Sequence, residues 1–147
     1  MRHCSHARRR LALAALAAFA TPAWAQPSPA IAGADRLRFA GRAMALRDEA
    51  VRRGDQPYGA VVVCNGTIVG EGISAVVTAG DVDAHAERLA LRDAARALRR
   101  GDLSDCLLFG SSRACPLCEA AAYRQRIARM YFGADGADAG APRAVSL

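Results

Sequence analysis

The chain has no lysine. Its basic side chains other than histidine are therefore all arginine, and they are spread along stretches of helical apolar spacing. They read as solvated helix faces, which speaks against a nucleic-acid partner. Internal repeats are missing as well, so 147 residues with a hydrophobic fraction of 52% read as one domain with ample apolar mass for a core. No apolar run after residue 25 is long enough to cross a bilayer.

The first 25 residues are of another kind. Met1–Ala25 opens with Arg2 and Arg8-Arg9-Arg10, continues through Leu11–Ala20 and ends in Ala23-Trp24-Ala25. That is the charged, apolar and small-residue order of a signal peptide. Cleavage before Gln26 would release an exported chain, periplasmic or secreted, with no membrane association. Arg8-Arg9-Arg10-Leu11 also loosely fits a twin-arginine signal, and both export routes stay open. The formal net charge is +6 for the whole chain. Without the four leader arginines, the balance of 20 basic against 14 acidic residues falls to +2. Beyond the leader, 26–34 reads as a Pro/Ala-rich linker, 35–140 as the folded domain and 141–147 as a flexible tail.

Within the domain, apolar positions among charges predict a helix over Asp35–Arg53, stopped by Gly54. Tyr58–Cys64 is a β-branched run, Asn65-Gly66 is a two-residue hairpin signal, and Thr67–Gly72 returns as the second strand. Ala84–Arg100 reads as a helix closed by Gly101, Cys106–Phe109 as a buried strand, Pro116–Ile127 as a helix and Arg129–Gly133 as a fourth strand. From Ala134 onward, the Gly-, Ala- and Asp-rich sequence reads as weakly structured. This order predicts an α/β fold, a three-layer α/β/α sandwich whose mixed sheet begins with a β-hairpin.

Two short motifs carry chemistry. His85-Ala86-Glu87 and Cys115-Pro116-Leu117-Cys118 together supply one imidazole, two thiols and one carboxylate. Catalytic zinc takes three protein ligands and leaves a fourth position for water, so His85, Cys115 and Cys118 describe an open Zn2+ site. Cys115 and Cys118 stand at i and i+3, on one face of a helix turn, with Pro116 suited to its first position. Cys115 then becomes the N-cap, where free backbone N–H groups favour thiolate. Asp83 is the expected N-cap of the preceding helix, placing His85 and Glu87 in its first turn. Glu87 is not needed as a ligand and can act as the catalytic proton shuttle for hydrolytic deamination of an amidine-like carbon.

With these residues in place, the chain resembles the zinc-dependent cytidine/deoxycytidylate deaminase superfamily, in its branch of guanine, cytosine and tRNA adenosine deaminases. Pro57–Val63, His85-Ala86-Glu87, Cys115-Pro116-Leu117-Cys118 and Arg126–Gly133 carry the likeness. The resemblance implies a cytidine deaminase-like fold, His85, Cys115 and Cys118 as zinc ligands, and Glu87 as catalytic residue. It also implies release of ammonia from a small nucleobase or nucleoside by zinc-hydroxide attack. Tyr58, Ser74 and Ala86 are the candidate substrate contacts, and a homodimer is an open assembly state. Two positions depart from the usual pattern: Arg113-Ala114 replaces Glu-Pro before the first cysteine, and Ser74 stands where an Asn is common. These departures keep an alternative in view, a zinc-stabilised binding module with little turnover, against which the retained Glu87 argues. A CxxC redox protein would leave His85 without a role.

Cys64 and Cys106 remain once Cys4 is assigned to the leader. If the first and third strands run antiparallel, these cysteines meet at the end far from the metal. Either two buried thiols or, in an oxidising compartment, a disulfide is compatible with that placement.

Overall fold

The computed structural model describes residues 31–145. The leader, Cys4 and most of the linker lie outside this range, as do the last two residues of the tail. The elements are α1 (Gly33–Arg52), β1 (Gly59–Cys64), β2 (Thr67–Ile73), α2 (Ala86–Leu98), β3 (Cys106–Gly110), α3 (Pro116–Arg124), β4 (Arg129–Phe132) and β5 (Ala137–Gly140). They form the predicted α/β fold. The five-stranded sheet has the order β2-β1-β3-β4-β5, and it is mixed: β3 and β4 are parallel while the other neighbours are antiparallel.

Strand periodicity divides the core into two faces. Ala60, Val62, Cys64, Cys106 and Leu108 face the α2 and α3 side, where they meet Ala90, Leu91, Ala94 and Ala122. The alternate residues Val61, Val63, Leu107 and Phe109 face α1, where they meet Phe39, Ala43 and Leu46. Every residue of β1 and β3 is buried, as expected for strands covered by helices on both sides.

The β1-β2 turn follows directly from its residues. Asn65 and Gly66 both take positive φ, 51° and 75°, the condition for the tight turn whose twist suits a hairpin. Beyond it, Gly70 and Gly72 allow α2 to lie directly on β2. A Cβ at Gly72 would collide with the carbonyl of Ala86 and come within 2.6 Å of the Ala90 amide. Glycine on the strand and alanine on the helix thus set the height of the α2 N-terminus above the sheet.

Several boundaries differ from the sequence reading. Arg99 at φ 53° ends α2 before Gly101 is reached, and Arg126 at φ 62° follows an α3 that stops at Arg124, short of Ile127. Non-glycine residues supply these left-handed positions, so no glycine signal marked them. The segment after Ala134 is ordered by pairing: β5 aligns antiparallel to β4, with Tyr131 opposite Asp138. Its sequence, Ala-Asp-Ala-Gly, has no β-branched or aromatic residue, so the strand is made by backbone pairing rather than propensity. Arg129 also pairs with Asp138 at 2.9 Å, and Arg143 ties the following tail to Glu119 of α3 at 2.9 Å.

Cys64 and Cys106 are directly opposed in the antiparallel β1-β3 ladder, and their sulfurs are bonded, with the Cα atoms 4.3 Å apart. Of the two arrangements compatible with the sequence, the structure contains the bridge. No helix among the described residues is long and apolar enough to cross a membrane.

Candidate active site

The donor cluster is built from two helix starts. Cys115 is the N-cap of α3 in extended conformation, Pro116 follows it, and the Cys118 amide donates to Cys115 Sγ at 3.4 Å. This is the arrangement expected from the CxxC spacing. The α2 start lies later than predicted. Asp83 is not the N-cap: its amide donates to Asp81 Oδ1 at 2.8 Å, and its carboxylate pairs with Arg88. His85 takes the cap position with φ −69° and ψ 144°, and the helix proper begins at Ala86.

That extended step at His85 solves the geometric problem of two functional side chains only two residues apart. The imidazole leaves the helix end while Glu87 stays inside the first turn. His85 Nδ1 lies 3.6 Å from Cys115 Sγ and 3.4 Å from Cys118 Sγ, and Glu87 Oε2 lies 3.5 Å from Cys118 Sγ. One donor atom from each of His85, Cys115 and Cys118 falls within 4.8 Å of the others.

Whether a cation fits can be judged from these donors. Cys118 is fully buried, and burial, followed by the nearby Glu87 and Cys115, raises its thiol well above the ordinary range. A buried thiol of this kind becomes a thiolate when a cation compensates it. Two sulfurs and one imidazole nitrogen suit zinc, and three donors leave a coordination position free.

Glu87 is 6% exposed and belongs to the wall of the site rather than to the donor cluster. Burial raises its carboxyl above the usual range, against hydrogen bonding from its own amide and Cys118 and the attraction of His85. It lines a cleft of about 210 Å³ with Gln56, Tyr58, His85, Ser112, Arg113 and Cys115. Tyr58 is therefore at the cleft, whereas Ala86 is not among its lining residues: it is fully buried in the first position of α2, packed in the core against β2.

Ser74 is placed differently from Tyr58. It is buried and its hydroxyl donates to Asp55 Oδ1 at 2.7 Å, so its hydrogen bond goes to a loop carboxylate. Asp55 was not singled out by sequence reasoning, yet it ties the turn before β1 to the loop after β2. Oδ1 also accepts from the Gln56 amide at 2.8 Å, while Oδ2 accepts from the amides of Val77 and Thr78 and from the Thr78 hydroxyl. Burial opposes its ionisation, but the hydrogen bonds from Thr78, Ser74 and Gln56 outweigh it and hold the carboxyl far below its ordinary range. The signal available in the sequence was an acid directly before Gln56-Pro57-Tyr58, which looks like any turn residue until its partners 19 to 23 residues away are known.

The family described as cytidine and deoxycytidylate deaminase zinc-binding region matches residues 34–134. Guanine deaminase of Bacillus subtilis is 40% identical over 102 residues, covering 69% of this chain and 65% of that protein. A tRNA(Ile)-lysidine synthase of Deinococcus radiodurans is 42% identical over 129 residues, which cover 85% of this chain and only 22% of the much longer relative. A solved structure from work on A-to-I editing by tRNA:A34 deaminases superimposes with a TM-score of 0.65 at 32% identity, over 67% of this chain and 75% of that one. With matched residues spanning His85–Glu87, Cys115–Cys118 and every strand but β5, the chain belongs to the cytidine and deoxycytidylate deaminase family.

Proposed function

We propose that the protein is a zinc-dependent hydrolytic deaminase that releases ammonia from a small nucleobase or nucleoside. The observation that carries this reading is Glu87: a buried carboxylate beside a three-donor cluster, outside that cluster, facing the cleft. Zinc held by His85, Cys115 and Cys118 would supply Lewis acidity, which lowers the pKa of water from about 15.7 to roughly 7. Two thiolates balance the dication, so the cluster adds no net charge to the cleft. Glu87 takes a proton at its carboxylate and returns it to the departing amine nitrogen, so the ring carbon exchanges its C–N bond for a C–O bond. The raised pKa of Glu87 suits a group that must both hold and release that proton. Tyr58 offers an aromatic wall to a ring bound in the cleft.

Relatives named for guanine and for tRNA both occur. A small substrate is favoured here because most described arginines already face acids, among them Arg42 with Glu71, Arg100 with Asp105, Arg126 with Asp102 and Arg129 with Asp138. The test is ammonia release from guanine, cytosine, adenosine and cytidine, with a tRNA arm alongside. Turnover of at least one small substrate is expected. Turnover of tRNA alone would overturn the substrate class, and turnover of none would leave a binding module. The leader leads us to propose export as well, checked by sequencing the N-terminus of the periplasmic or secreted protein for a start at Gln26.

A further inference from the structure

Arg113 stands out among the charges of the cleft because it makes no ion pair among the described residues, although its charge, after that of Arg143, helps to hold Glu119 ionised. Asp83, near the cleft, is paired with Arg88, and Glu119, in the adjoining cavity, is held by Arg143. The His85, Cys115 and Cys118 set is balanced once it holds a dication. Arg113 lines both the cleft with His85 and Glu87 and the cavity behind it, with its guanidinium 4.8 Å from the centre of the Phe132 ring. Stacking on an aromatic face fixes the plane of a guanidinium and leaves its N–H edge free. A fixed, unpaired fork of donors at the mouth of a reactive cleft is a receptor for an oxyanion.

We infer that Arg113 selects substrates that carry an anionic oxygen group, phosphate or carboxylate, in addition to the amidine carbon that reacts. The placement of Arg113 is anchored on both sides. Gly110 ends β3 and Cys115 caps α3, so the short link between them, Ser111 to Ala114, holds Arg113 against the cleft. The inference rests on the deaminase reading for the identity of the site and extends it to the charge of the substrate. Because the anionic group takes no part in the bond exchange at the reacting carbon, the contact is present in both ground and transition states and acts on KM rather than kcat.

The test uses matched pairs: cytidine with its 5′-monophosphate, guanosine with its 5′-monophosphate, and cytosine with 5-carboxycytosine. Affinities are measured by calorimetry on zinc-loaded Glu87→Gln protein, so that binding is read without turnover. The anionic member of at least one pair should bind about tenfold more tightly at low salt, the lower end for a charge-assisted hydrogen bond, and the gap should shrink as salt rises. A gap confined to the monophosphates identifies phosphate, and one confined to 5-carboxycytosine identifies carboxylate. Arg113→Gln, with zinc content retained, should close the gap, while Arg113→Lys should keep part of it. Equal affinity within all pairs, binding of no member, or a gap that survives Arg113→Gln would overturn the inference. Wild-type turnover is then assayed on the same pairs: a gap without turnover supports the role of Arg113 and removes the deaminase reading instead.

Discussion

Glu87 and Asp55 are both buried carboxylates, and their surroundings drive them in opposite directions. Glu87 sits where burial dominates and its ionisation is disfavoured; Asp55 receives hydrogen bonds on both oxygens and stays ionised. Such a divergence separates a group that moves a proton from one that holds structure. Glu87→Ala should therefore retain zinc and fold but lose activity by about 10²–10⁴-fold, read by ammonia release alongside elemental analysis. Asp55→Asn should loosen the cleft wall at Gln56 and the loop at Val77 and Thr78. Because the folded pKa of Asp55 is depressed, its stabilisation is present above the ordinary carboxylate value of about 3.9 and is lost as pH falls below it. Urea unfolding of wild type and Asp55→Asn from neutral pH down to about pH 3 should show a gap that narrows on the acid side. A gap independent of pH would contradict the charged clamp.

Elements are placed by close contacts that residue types permit. Gly72 lets the first turn of α2 rest on β2, so Gly72→Ala forces the helix start away from the sheet and carries His85 and Glu87 with it. A loss of roughly 1–3 kcal/mol in chemical denaturation is expected from such overpacking, with a fall in activity at retained zinc. At the opposite end of the sheet, the Cys64–Cys106 bridge joins β1 to β3 across a sequence separation of 42 residues. Loop-closure entropy for a ring of that size gives about 4 kcal/mol as an upper contribution. Thiol counting on the unfolded, metal-free chain from Gln26 onward should find Cys115 and Cys118 alone, and four reactive thiols would show that the bridge had not formed. The bridge lies away from the donor cluster, so a Cys64→Ala/Cys106→Ala variant should lose stability while keeping zinc.

For the whole molecule, the site is a junction: the N-termini of α2 and α3 bring His85, Glu87, Cys115 and Cys118 together beside one cleft. Zinc that binds the folded chain and not the unfolded one adds stability by mass action. Removal of metal by a strong chelator should lower Tm by several °C, and readdition of about one zinc per chain should restore it. A Tm unchanged by chelation would separate the cluster from folding.

Much of this protein was legible from residue order because the deciding forces are local. Asn65-Gly66 alone specifies the hairpin turn, Cys115 followed by Pro116 specifies a cap, and His85 with Cys115-x-x-Cys118 stands out as a donor set because few residue types supply that chemistry. What the tertiary structure decided depends on partners distant in sequence. The strand at Ala137–Gly140 exists because β4 offers a free edge, the role of Asp55 because Ser74 and Thr78 fold back onto it, and the exposed fork of Arg113 because Phe132 lies beneath it. His85, and not Asp83, caps α2 because Asp81 and Arg88 already occupy Asp83. Local conformational preference is written in neighbouring residues, whereas the competition among acceptors for one donor is resolved only when the chain has brought them together.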